Sequence, residues 1–241
     1  ATMRKRHPEV VLFGEWSGIG PWDTRGLHFA NSSGMSVLDF NFHYGVHDVF
    51  CKNQHFRRFA DVLHQDRGYD DATELVTFLD NHDMPRLLSV GMKLADLPLA
   101  VTLLLTSRGV PCLFYGTEQA LFDSSEGGND PYNRPMMERF DLDAPVARIL
   151  PILAALRRRS LAVQRGFTRD LYVGQDVFAY ARAYRCSGDP AALRQAESTL
   201  ERAYRLRPDE PIVVTNLADM LAYHARLRVL GRRIAVHALT L

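Results

Sequence analysis

The sequence predicts an α/β fold: a partial (β/α)8 barrel, about half of the full eight units, then a short β segment and an all-α tail. Three observations carry this. Four short runs are apolar on both faces, as strands of a parallel sheet covered on both sides must be: EVVLFG (9–14), SVLDFNF (36–42), LVTFLD (75–80) and PCLFYG (111–116). Segments with helical periodicity separate or follow these runs, and such alternation implies right-handed β-α crossovers. The loops after the strands, unlike those before them, carry polar and aromatic side chains: Glu15, Trp16, Asp80, His82, Asp83, Glu118 and Asp130. Barrel enzymes place their chemistry at that end.

Taken in order, the elements support that reading. The chain opens on the basic stretch ATMRKRHP and reaches a buried-strand pattern after about seven residues, so its start reads as a truncation. It lacks a signal-peptide core of adequate length. Residues 43–52 and 53–65 read as helices between the second and third strands, and 93–109 as the helix before the fourth. That helix carries C-terminal signals: Arg108 in its last turn, Gly109 as cap and Pro111 beyond. A further helix spans 143–166, and DVFAYARAY (176–184) reads as a strand. The chain divides into 1–166, the barrel units; 167–187, the β segment; and 188–241, rich in Ala, Leu and Arg with helical periodicity. Ala196, Leu200, Ala203 and Pro208 fall at the spacing of half a tetratricopeptide repeat, although the Trp and Gly of the first helix are missing. A tetratricopeptide-like pair and an unrelated helical hairpin both fit.

Composition narrows the function. Of 241 residues 46% are hydrophobic and 24% charged, and the net charge of +1 argues against nucleic acid as a partner. The longest apolar run, LPLAVTLLLT (97–106), is too short for a membrane span. Cys51, Cys112 and Cys186 are widely spaced, with no zinc or disulfide pattern.

The polar clusters then suggest a chemistry. Glu15 follows a hydrophobic strand and adjoins Trp16, where desolvation would raise a carboxyl pKa and suit a general acid; a plain surface glutamate also fits. His82 beside Asp83 suits half of a metal site, a pair that binds a hydroxyl-rich ligand, or a strand cap. His43 and His47 are spaced i, i+4 and read as a solvated helix face rather than metal ligands. Carboxylates on neighbouring barrel strands are what retaining glycoside hydrolysis uses; Trp16, Trp22, Phe40, Phe42, Tyr115 and Tyr132 are the available aromatics for sugar platforms, and most of the Phe and Tyr within strands read as core.

The motifs FGEW, ANSSGMSVLDFNF, VTFLDNHDMPR, LTSRGVPCLFYGTEQ and NDPYNRPMMERFD occur in that order. Together they resemble the second half of the catalytic barrel of the α-amylase family (glycoside hydrolase family 13), strands five to eight, with the strongest likeness to its cyclodextrin glucanotransferase and maltogenic amylase branch. The likeness runs from about Pro8 to about Tyr184. It implies retaining hydrolysis or transglycosylation of α-1,4-glucans such as starch and maltodextrins. By this resemblance Glu15 is the general acid/base and Asp83 stabilises the transition state. His82 binds the glucosyl unit at the cleavage point, with Trp16 beside the site, and Asp130 and Arg134 hold a glucose further toward the non-reducing end. Glu118 is implied to be structural. The strand at 176–184 resembles the first strand of the β-sandwich that follows the family barrel, which makes 167–187 its remnant.

Four departures matter. No residue matches the family's nucleophilic aspartate; only ATMRKRHP precedes the first strand. The position after the Glu-Trp pair, a Phe in transglycosylating members, is Ser17. The sandwich gives way to the helical tail. The family's calcium ligands are not matched, so no cofactor is assigned, and although the family is usually secreted, localisation stays unassigned. The implied catalytic set is incomplete, so the chain alone is expected to be inactive. Its open sheet is expected to pair with a second copy, a separately encoded N-terminal half barrel or its own tail. The alternative is a non-catalytic maltodextrin-binding or interaction scaffold that uses the tail.

Overall fold

The structure, a computed structural model, describes residues 2–16, 20–185 and 234–239. A helical turn, α1 (Thr2–Arg6), precedes β1 (Phe13–Gly14), and α2 (Arg25–Ser33) leads to β2 (Ser36–Val37). Helices α3 (Phe40–Phe50) and α4 (Arg57–His64) cross to β3 (Val76–Phe78); α5 (Leu97–Thr106) crosses to β4 (Val110–Cys112). Then come α6 (Pro145–Arg159), α7 (Leu161–Arg165) and the antiparallel strands β5 (Phe167–Val173), β6 (Phe178–Arg185) and β7 (Ile234–Leu239).

The first four strands run parallel and lie in chain order. Phe13 pairs with Ser36 and Gly14 with Val37. A bridge from Leu38 to Val76 joins β2 to β3, and Val76, Thr77 and Phe78 pair with Val110, Pro111 and Cys112. This is the predicted β/α order, but the strands are shorter than the apolar runs and do not close into a barrel.

The boundaries have local causes. The second run was expected to stay extended through Phe42, yet Phe40–Phe42 form the first turn of α3. The Asp39 carboxylate accepts a 3.0 Å hydrogen bond from the Phe42 amide, which caps a helix start and ends the strand. Helix α2 was not anticipated; it closes on Gly34, whose left-handed φ of 64° lets its N–H return to the Ala30 carbonyl. The fifth helix ends at Thr106, three residues before the expected cap. Arg108 instead turns inward to a buried ion pair with Asp39, and its Nε donates to Asp66 Oδ1 at 2.7 Å. Burial alone would lower the Arg108 pKa, but the two carboxylates outweigh it and hold the guanidinium charged. Gly109 serves the strand rather than the helix: its φ is 91°, and a Cβ there would lie 2.6 Å from the Leu75 carbonyl oxygen. The single helix expected over 143–166 is split at Ser160, whose backbone is extended and whose hydroxyl accepts from the Val163 amide at 3.2 Å.

The expected strand at 176–184 is β6, and β5 pairs with it antiparallel. Residues 186–233 lie outside the described residues, and with them Cys186 and the tetratricopeptide-like pattern. Ile234–Leu239, expected to be helical, form a strand whose backbone pairs antiparallel with β6, from Arg185 opposite Ile234 to Tyr180 opposite Leu239.

The core fills the space between the helices and the sheet. Phe42, Phe59, Leu79, Val101, Leu104 and Val146 are buried there, and Phe178 and Tyr180 of β6 pack into the same cluster. Strand registers place Phe13, Ser36, Leu38, Val76, Phe78, Val110 and Cys112 on one face of the sheet, where Ser36 and Phe78 are buried. On that face Phe13 and Val110 are 54% and 53% exposed, whereas parallel sheets are ordinarily covered on both sides.

Candidate active site

Because the four strands are parallel, their C-terminal ends share one end of the sheet, and the predicted site residues stand in the loops that leave it. Glu15 follows β1 directly and is exposed. The burial expected from its apolar neighbour is not found, because Trp16 turns away to stack on Phe29 of α2, ring centroids 5.5 Å apart. Ser17 lies outside the described residues.

The loop after β3 is built in two layers. Asp80 is buried, and its Oδ2 accepts from the Leu87 amide at 3.2 Å, which closes the 80–87 loop on itself. Burial pushes the Asp80 carboxyl pKa up, although the Leu87 amide and Arg86 oppose that shift. Above it, Asn81 Oδ1 accepts from the Asp83 amide at 2.9 Å, an Asx turn that lifts the next two side chains into solvent. His82 and Asp83 are 60% and 54% exposed, with His82 Nε2 3.3 Å from Asp83 Oδ2. Two adjacent hydrogen-bonding groups of this kind, on a turn anchored to a strand, suit a hydroxyl-rich ligand.

The third segment follows β4. Asp130 and Arg134 form an exposed ion pair with each other. Between them in sequence Asn133 is buried, and its Nδ2 donates to the His82 carbonyl at 2.7 Å. The structure thus brings the His82–Asp83 turn and the Asp130–Arg134 turn together through Asn133. Glu15 stands at the same end of the sheet, two strands away from β3.

Sequence reasoning did not assign Asp39, Asn133 or Arg86. Arg86 lies inside the quoted VTFLDNHDMPR motif, but its side chain is buried beneath the loops rather than facing solvent. Nothing in a linear pattern separates a buried arginine from an exposed one. His43 is also a correction: it is buried rather than on a solvated face. Its ring stacks on Phe78 at 5.7 Å and its Nδ1 bonds the Leu79 carbonyl, while burial lowers its pKa to about 4.

Among the described residues no group of three or more His, Cys, Asp or Glu is arranged to hold a metal, and no helix is long and apolar enough to cross a membrane. A cleft of about 1050 Å³ lies at the opposite end of the sheet, lined by Val11, Ser36, Glu74 and Val110 among others. It marks where strand beginnings stand uncovered, not where the polar loops converge.

Parallel β/α units with polar loops gathered at the C-terminal ends of their strands are the arrangement of a β/α-type catalytic domain. The family profile described as "Alpha amylase, catalytic domain" matches residues 1–150, and the chain belongs to the α-amylase family. It is 40% identical over 184 residues to the cyclomaltodextrin glucanotransferase of Bacillus sp. (strain 1-1), covering 74% of this chain and 25% of that protein. It is 36% identical over 200 residues to the α-amylase of Niallia circulans, covering 82% of this chain and 37% of that one. Among solved structures, CldA, a cyclomaltodextrin glucanotransferase with a three-domain ABC distribution, superposes with a TM-score of 0.73 at 44% identity, over 76% of this chain and 38% of that chain. The chain therefore spans between a quarter and two fifths of the length of these relatives.

Proposed function

We propose that this chain supplies part of an α-amylase-type active site that acts on α-1,4-glucans by a retaining mechanism. In this reading Glu15 is the general acid/base, protonating the glycosidic oxygen and later activating water or an acceptor sugar hydroxyl. Asp83 and His82 bind hydroxyls of the glucosyl unit at the cleavage point, and Asp83 stabilises the oxocarbenium-like transition state. Asp130 and Arg134 hold a neighbouring glucose. A retaining reaction also needs a carboxylate nucleophile about 5–5.5 Å from the acid/base. The sequence matches no residue to the family's nucleophilic aspartate, so in this reading the nucleophile comes from an N-terminal half barrel, carried upstream or encoded separately. Cover from that protein would also desolvate Glu15, as a general acid near neutral pH requires.

The observation that carries the reading is the His82–Asp83 pair, solvent-facing on an anchored turn and tied by Asn133 to the Asp130–Arg134 turn. Calorimetry with maltoheptaose, beside a reducing-sugar assay, tests it. The 241-residue chain is expected to bind the oligosaccharide without measurable turnover. Asp83→Asn should weaken binding by about 10- to 100-fold, the worth of a charged hydrogen bond at 1.5–3 kcal/mol. Absence of binding would overturn the sugar site. Turnover at an ordinary enzymatic rate by the chain alone would overturn the external nucleophile. Binding that stays without turnover after a complementary N-terminal half barrel is added would favour the maltodextrin-binding scaffold.

A further inference from the structure

We infer that Arg86 is a positioning residue for the sugar-facing edge: its buried guanidinium locks the turn that carries His82 and Asp83 to the turn that carries Asp130 and Arg134. This rests on the reading of those four residues as the glucan-binding edge. Arg86 is 1% exposed, one of the largest fully buried side chains in the molecule. Its Nε donates to the Asn133 carbonyl at 3.0 Å and its Nη1 to the Tyr115 carbonyl at 2.7 Å, with Thr117 Oγ1 at 3.5 Å. The guanidinium lies 4.0 Å from the centroid of the Phe114 ring and 4.8 Å from that of Tyr115. A planar fork with several donors can grip two separated backbone carbonyls of the segment after β4 at once; a lysine ammonium on a flexible stem holds such an arrangement far less firmly.

The grip continues outward. Asn133, held by its carbonyl, uses its own Nδ2 to hold the His82 carbonyl, and Tyr115, held in the same way, donates its hydroxyl to the Pro135 carbonyl at 3.0 Å. Arg86 thus sits at the root of both turns and touches none of the proposed sugar-binding side chains. Stability alone does not account for it. Arg86 Nη2, Asp80 Oδ1 and Asn133 Oδ1 are buried without a protein partner. A partly satisfied polar cluster costs more than apolar packing of the same volume. A cluster of that cost, directly beneath the turns, fits a role in fixing their geometry.

The test compares Arg86→Lys with the unsubstituted 241-residue chain by hydrogen exchange and by maltoheptaose calorimetry. Exchange at residues 81–84 and 130–134 should rise at least tenfold in Arg86→Lys while α5 stays protected, and binding should weaken at least tenfold. In Arg86→Ala, millimolar guanidinium should restore protection of both turns and part of the affinity, a rescue that general destabilisation would not show. Unchanged exchange in both turns of a folded Arg86→Lys overturns the proposal. If neither Arg86 variant folds, Asn133→Ala decides: release of 81–84 alone supports the relay, and continued protection overturns it. The exchange readout needs no sugar, so loss of the sugar-site reading, seen as no binding by the unsubstituted chain, is told apart from loss of this one.

Discussion

His43 shows at the level of one side chain how burial changes what a residue does. Its imidazole stacks on Phe78 and bonds the Leu79 carbonyl, and desolvation, aided by the nearby His47 and Lys52, lowers its pKa to about 4. An unfolded histidine titrates near 6.5, so protonation favours the unfolded chain. The contribution is fully present above pH ~6.5 and is lost as pH falls from there toward 4, about 3 kcal/mol in all at 1.36 kcal/mol per pH unit. Urea midpoints at pH 7 and 4.5 should therefore differ markedly, and His43→Gln, which retains a donor for Leu79, should flatten the dependence. An equal slope in the variant would place the acid sensitivity elsewhere. The spacing of His43 and His47 was visible in the sequence, but their environment was not, because a helical i, i+4 pair looks the same toward solvent as toward a strand. Glu15 errs in the opposite direction: its apolar neighbour promised burial, and that neighbour packs on Phe29 instead. By contrast, the strand-exit motifs were enough to put Glu15, His82 and Asp83 at one end of one sheet, since short continuous apolar runs and their exits are local signals.

Among elements, the link between β6 and the β/α units is the most consequential. Phe178 stacks on Phe56 at 5.9 Å, meets Phe59 edge-on at 6.0 Å and stacks on Tyr180 at 5.0 Å. One strand of the antiparallel sheet therefore completes the core of α3 and α4. Phe178→Ala should cost about 3–5 kcal/mol by removing a fully buried ring, read as a fall in the urea midpoint without a large change in slope. Two independently folding units would instead give two transitions. Gly109 makes a second element-level case. With φ of 91° and a would-be Cβ 2.6 Å from the Leu75 oxygen, Gly109→Ala must shift the β3–β4 pairing, and a loss well above 1 kcal/mol is expected in the same assay. Element order was readable because apolar period and length separate strands from helices. Element ends were not, because Asp39 capping and the inward turn of Arg108 are settled by contacts with distant residues: Arg108 pairs with Asp39 and Asp66, far from it in sequence.

Across the whole molecule, one face of the four parallel strands is open at its two outer strands although Phe78 on it is covered by Phe40 and His43, and among the described residues the two sheet edges are unpaired. Phe13 and Val110 stand at the β1 and β4 edges on that face, each about half exposed. At roughly 25 cal/mol per Å² such surface favours association, and unpaired edges template it. If the face receives the remainder of a barrel, as proposed above, two consequences follow that can be measured separately. First, the chain alone should self-associate or bind a dye such as ANS, and Phe13→Lys with Val110→Lys should reduce both without lowering the urea midpoint, because neither side chain belongs to the buried cluster. Second, an N-terminal half barrel supplied in trans should raise the melting temperature of the unsubstituted chain by an amount that grows logarithmically with its concentration, as mass action requires, and should fail to do so for the double lysine variant. A chain that stays monomeric, dye-silent and indifferent to the added half barrel would overturn the reading that this face receives the remainder of a barrel.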